Sequence, residues 1–165
     1  MDGVREMIEA MKRGNVYDDE YEYDESDPDG FRAGIARVGK AAGGKDISIR
    51  AFELPPGQSV SPYHYEYEEE WLLVLDGSVA VRVPEAEHEL QRGDLVRFAP
   101  GADGAHKVFN RSEQTARVLM LSSAREPAVA VYPDSDKIGV WPGDSADELM
   151  LRRADGRVDY YDGER

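Results

Sequence analysis

The sequence contains no cysteine. That excludes a disulfide scaffold, thiolate zinc sites, iron–sulfur ligation and a thiol nucleophile. Histidine is scarce as well. There are three in 165 residues, His64, His88 and His106, so imidazole chemistry has few places to sit. No apolar run approaches the roughly 18–20 residues of a membrane span. Positive charge is in deficit, with 20 Lys and Arg against 34 Asp and Glu and a formal net charge of -14. A surface of that sign repels nucleic-acid phosphates and anionic lipid, so neither nucleic acid nor membrane is expected as a partner. The opening MDGVREMIEAMKRG lacks the continuous apolar core of a secretory leader, which makes cytoplasmic the expected location.

What is present is a globular composition, 41% hydrophobic and 33% charged, on the scale of one domain. Three stretches are expected: a helical and acidic arm over 1–30, a barrel over 31–132, and an extension over 133–165 packed on that barrel. Val4, Met7, Ile8 and Met11 fall at helical spacing, and Gly14-Asn15 stops the pattern. Residues 17–29 then hold eight acids and no base. They form either a solvated arm or a docking segment whose Tyr17, Tyr21 and Tyr23 pack on the barrel or a second subunit.

From Phe31 onward short strands follow one another. Candidates are Ile35–Val38, Ile47–Leu54, Glu70–Leu75, Ser78–Val83, Glu87–Leu90, Leu95–Phe98, His106–Asn110, Thr115–Ser122 and Ala128–Val131. Asp76-Gly77 between two apolar runs predicts a hairpin, because Gly supplies positive φ cheaply. A last hairpin is expected around Asp155-Gly156. Many short strands with regular turn signals make the fold all-β, an antiparallel sandwich or barrel.

His64 and Glu66 lie two apart, so on an extended strand they share a face and can approach one ion. Glu70 opens the apolar run W-L-L-V-L. A carboxylate buried there needs a partner, and a divalent cation is one. His106 reaches the same ion only if the sheet closes on itself. Against this, Glu66, Glu68, Glu69 and Glu70 also read as a solvated charge run, and a histidine in a Tyr-rich strand as a structural residue. His88, among charged neighbours, reads as exposed.

The spacing resembles the two cupin motifs. Gly57, six residues, His64, Tyr65, Glu66, three residues, Glu70, six residues and Gly77 follow the first. Gly93, six residues, Pro100, Gly101, then His106, three residues and Asn110 follow the second. Glu66 stands where the motif has a second histidine, and each glycine-led spacer is one residue longer than usual. The wider pattern, with P-Y-H, R-G-D-L-V-R-F-A-P-G and Y-P-D-S-D-K, is similar to small single-domain cupins of the mannose-6-phosphate-isomerase-like type.

This resemblance implies a jelly-roll antiparallel β-barrel with one divalent metal (Zn, Fe, Mn or Ni) in its mouth, held by His64, Glu66, Glu70 and His106. In a second arrangement His64, Glu70 and His106 are the ligands and Glu66 is a catalytic base beside the substrate. The wall would come from Arg50, Phe52, Leu72, Val74 and either Val118 with Met120 or Leu119 with Leu121. Tyr63, Tyr65 and Tyr67 would face outward. The implied activity is a metal-dependent oxygenase or isomerase acting on a small oxygenated compound. The alternatives are a non-catalytic sugar-binding cupin and a structural metalloprotein. Open sheet edges, which cupins often pair, imply a homodimer.

Overall fold

Along the central strands buried residues alternate with more exposed ones, and this period of two turns the apolar side chains inward between two facing layers. The computed structural model describes residues 11–18 and 20–165. The strands are β1 (Gly34–Ala36), β2 (Ile47–Leu54), β3 (Tyr65–Glu66), β4 (Glu70–Asp76), β5 (Ser78–Arg82) and β6 (Glu87–Gln91). They continue with β7 (Leu95–Phe98), β8 (Lys107–Phe109), β9 (Ala116–Ser123), β10 (Ala128–Tyr132), β11 (Lys137–Trp141) and β12 (Leu149–Arg152). One layer has the order β1-β2-β9-β4-β7. The other is assembled from β6-β5-β8 and β12-β11-β10-β3, joined by an antiparallel backbone bridge between His64 and His106. All pairs are antiparallel, and the fold is an all-β jelly roll.

The core lies between the layers. Leu54, Leu72, Val74, Val79, Val108 and Val118 are at most 1% exposed. Each contributes roughly 1.5–3 kcal/mol by leaving water. A smaller cluster, Ala36, Val38 and Ala51, covers the outer face of the first layer with Val16 and Tyr21 packed on it. There the acidic arm docks on the barrel through its tyrosines. The Tyr17 hydroxyl donates to the Leu75 carbonyl, and the Tyr23 hydroxyl donates to Glu53 at 2.6 Å. The helical stripe of Val4, Met7 and Ile8 lies outside the described residues. Among the described residues no helix is long and apolar enough to cross a membrane.

Three expectations are corrected. Asp76-Gly77 does not close a hairpin between β4 and β5. β4 is already flanked by β7 and β9, so no edge is free for β5. Gly77, at φ 72°, instead turns the chain into the opposite layer, where a Cβ would stand 3.2 Å from Ala116 Cα. Asp155-Gly156 is not the last hairpin either. β12 pairs back on β11, so the connection runs through 142–148, where the Asp144 side chain accepts from Ala146 N–H. Finally, the strand expected over Ile35–Val38 ends at Ala36. Val38 begins a four-residue helix, α1 (Val38–Ala41), which buries Val38 and Gly39 on β2.

Candidate functional site

The inward rows of the five-stranded layer change character along their length. On β4 the buried positions are Glu70, Leu72 and Val74. On β2 the same face runs from Leu54 and Phe52 to Arg50 and Ser48, and on β9 from Ala116 and Val118 to Met120 and Ser122. Register aligns these changes, with Arg50 opposite Met120 and Glu70 opposite Ser122. One end of the jelly roll is therefore a dry core and the other a polar cavity of about 580 Å³.

His64 and His106 enter from the opposite layer. Each Nδ1 lies 2.9 Å from a backbone carbonyl oxygen, Pro62 for His64 and Gly104 for His106. A carbonyl only accepts, so Nδ1 carries the proton on both rings and both Nε2 atoms present lone pairs. These point at Glu70. Its Oε2 is 3.7 Å from His64 Nε2 and 3.6 Å from His106 Nε2. His106 Nε2 is fully buried without a hydrogen-bond partner. A buried acceptor left orphaned is costly. Two ligand atoms each about 2.1 Å from a cation stand roughly 3–4 Å apart. Glu70 Oε2 has that spacing to both Nε2 atoms, and the ligand atoms of the three residues lie within 4.8 Å of one another. The donor set therefore fits a divalent metal.

Glu66 stands at the rim of this group. Its Oε1 is 3.9 Å from His64 Nε2, while the compact cluster comprises His64, Glu70 and His106. Burial pushes the Glu70 carboxyl up to about 8, with Glu66 adding to the rise and Arg50 opposing it. Burial likewise raises Glu66, again against Arg50. It lowers both imidazoles, His106 to about 4. Burial thus favours a neutral carboxyl and two neutral rings, because leaving water disfavours the charged form of either sign.

Arg50, Phe52 and Met120 line the cavity as the spacing predicted. Leu72, Val74 and Val118 lie beneath it in the core, and Leu119 packs on the outer cluster. His88 is exposed on β6. Tyr63 is buried at 8%, with the Arg82 guanidinium 3.9 Å over its ring. Two supporting rings were not anticipated. Phe98 stacks on His106 at 3.6 Å and 5°, and Tyr132 lies over His64 at 5.8 Å and 27°. Tyr132 closes the run A-V-A-V-Y before Pro133, but nothing local to that run says that β10 pairs with β3.

A jelly roll with imidazole and carboxylate side chains converging inside its mouth defines the class. Residues 50–122 match the family model described as Cupin domain, and the jelly roll agrees with that match. A crystal structure described as a sugar phosphate isomerase from a cupin superfamily, from Silicibacter pomeroyi, superposes with a TM-score of 0.75. It covers 90% of this chain and 97% of its own at 22% identity. The polyketide cyclase RemF from Streptomyces resistomycificus superposes with a TM-score of 0.60 over 72% of this chain and 83% of its own, at 23% identity. Both likenesses are to the fold. In sequence, the tetracenomycin polyketide synthase protein TcmJ from Streptomyces glaucescens is 32% identical over 75 residues, 46% of this chain. The match spans about half of that relative's length, 49%.

Proposed function

We propose that this cupin is a metal-dependent enzyme that moves a proton on a small oxygenated organic compound, in the manner of an isomerase or cyclase. His64, Glu70 and His106 would hold one divalent cation, with Zn, Fe, Mn and Ni all compatible with two imidazoles and a carboxylate. Such a cation, when bound, supplies Lewis-acid polarisation of a substrate oxygen. The observation that carries the reading is the placement of Glu66. It lies beside the cluster rather than within it, on the cavity wall, with its carboxyl raised by burial. A carboxylate made more basic and held next to a bound substrate is suited to take a proton from carbon.

The rest of the wall supports an oxygenated ligand. Ser48, Ser122 and Tyr132 offer hydroxyls, and Arg50 offers a guanidinium near both carboxylates. Phe52, Met120 and Trp141 supply apolar contact. A cavity of this volume matches a small molecule. Sugar isomerisation and ring closure of a polyketone can both begin by removing a proton next to a carbonyl, so the step assigned to Glu66 would serve a substrate of either kind.

The test has two parts. Elemental analysis of the purified protein reads the metal. Deuterium wash-in from solvent, followed by NMR over sugar phosphates and poly-β-ketone analogues, reads the proton transfer. Glu66→Gln should retain metal and lose wash-in at least 100-fold. Oxygen uptake by the iron-loaded protein that survives Glu66→Gln would instead favour an oxygenase.

A further inference from the structure

The back of the Glu66 strand carries a second cavity. Residues of β3 alternate between faces, so where Glu66 looks into the metal-site cavity, Tyr65 looks away from it. Strand register then sets Tyr65, Val131, Ile138 and Leu151 side by side across β3, β10, β11 and β12. This row is the floor of a cavity of about 320 Å³ on the outer face of the layer. It also accounts for Leu151, which is 44% exposed at the edge of the sheet.

The rim is basic. Arg152, Arg153 and Arg157 line it and no acid does, in a chain whose formal net charge is -14. Arg152 is partly engaged, donating to the Ser135 carbonyl at 3.2 Å and standing 3.8 Å from Asp155, whereas Arg153 is 3.9 Å from Asp136, at the limit of an ion pair. Arg157 makes no hydrogen bond or ion pair among the described residues. Arg153 also lies close enough to the Tyr65 hydroxyl to act on it electrostatically, and Tyr67 stands edge-on to Tyr65 at 5.9 Å.

We propose that this groove is a binding site, separate from the metal-site cavity, for a small organic anion with an aromatic or aliphatic body and a phosphate or carboxylate head. The apolar row and the tyrosine faces take the body. Arg153, Arg157 and the Tyr65 hydroxyl take the head through charge-assisted hydrogen bonds. Neither half suffices: an inorganic anion leaves the floor wet, and a neutral ring leaves the arginines without a counter-charge.

Phenyl phosphate is the probe, titrated calorimetrically into the full chain, with inorganic phosphate and benzyl alcohol as its two halves. The His106→Ala protein, stripped of metal, is titrated alongside, which separates this groove from the metal-site cavity. Phenyl phosphate should bind at one equivalent in both proteins, at least tenfold tighter than either half, and weaken with salt. Arg157→Gln removes no hydrogen bond or ion pair among the described residues and should cost about tenfold in affinity, and Arg153→Gln with Arg157→Gln at least a hundredfold. Three results would overturn the assignment. The first is phenyl phosphate binding that is lost in His106→Ala but untouched by the arginine changes. The second is equal affinity for phenyl phosphate and inorganic phosphate. The third is a change of oligomeric state in Arg157→Gln, by light scattering, without a change in phenyl phosphate affinity, which would make the groove a seat for a second copy.

Discussion

His64 and His106, forty-two positions apart, exchange two backbone hydrogen bonds. His106 N–H donates to the His64 carbonyl at 2.8 Å, and His64 N–H donates back at 3.1 Å. Their rings stand 4.8 Å apart, and both Nε2 atoms face Glu70 Oε2 across the interior. The bridge that joins the two parts of the second layer is thus also what brings the imidazoles together. Closing the sheet and assembling the site are one event.

The ligand set predicts an asymmetry among the three histidines. His106→Ala removes the donor with the orphaned Nε2 and should abolish stoichiometric metal, read by elemental analysis after dialysis. His88→Ala, on an exposed stretch of β6, should leave metal content unchanged. A full equivalent of metal retained by His106→Ala would contradict the proposed site.

Proton linkage gives the metal-stripped protein a distinctive pH profile. Glu70 is raised from 4.5 to about 8, so between these values the folded state holds a proton that the unfolded chain has lost. Stability therefore falls as pH rises across that window. His106 is lowered from 6.5 to about 4, and there the unfolded chain holds the extra proton, so stability rises with pH. The two oppose each other between pH 4.5 and 6.5. From 6.5 to 8 the imidazole effect is gone and the raised carboxyls act in one direction, Glu70 alone giving a slope of about 1.4 kcal/mol per pH unit and Glu66 adding to the fall. Denaturant midpoints of the stripped protein should decline over that range. Saturating metal, which needs Glu70 ionised, should reverse the trend. A flat profile in the stripped protein would show that Glu70 is not the buried acid described.

What was legible in the sequence was what local spacing encodes. Period-two alternation marks β2 and β7 with the boundaries found, and the same alternation puts His64 and Glu66 on one face. Long-range register is not written locally. That Tyr132 covers His64 follows from β10 pairing with β3, a two-residue strand too short to show any pattern. β11 escaped notice because its middle residue is Gly139. The space of a side chain there is already taken by Trp141 and Met150, so the strand's pattern is broken at its centre. Asp76-Gly77 misled for a related reason: the dipeptide specifies a turn, while the edges left free by β7 and β9 decide what the turn connects.

Asn110, the last residue of the second motif, serves structure. It is 1% exposed, and its Nδ2 donates to the Leu54 and Gln114 carbonyls at 2.8 and 2.7 Å. Its Oδ1 accepts from Ser112 N–H and Oγ–H. Asn110→Ala removes both donations, to the Leu54 and Gln114 carbonyls, and should cost about 2–4 kcal/mol in denaturant unfolding. Metal content per folded chain should not change, since no ligand rests on Asn110.

Two glycines of one loop separate conformational strain from ring positioning. Gly101 has φ 83° and ψ -170°, with nothing within 4 Å of where a Cβ would stand, so Gly101→Ala meets only the backbone preference and should cost about 1–3 kcal/mol. Gly104 is confined differently, because a Cβ there would fall 1.7 Å from the Ala99 carbonyl oxygen. Gly104→Ala must displace the loop, at an overpacking cost of about 1–3 kcal/mol. The Gly104 carbonyl is what receives His106 Nδ1–H, so the displacement also frees the ring to turn its Nε2 away from Glu70. A fixed acceptor behind a liganding histidine is typically worth about 10- to 100-fold in metal affinity. Competition with a chelator should therefore show Gly104→Ala weakened by about that factor and Gly101→Ala unchanged. Equal affinities in the two variants would mean that the Gly104 carbonyl does not orient the ring.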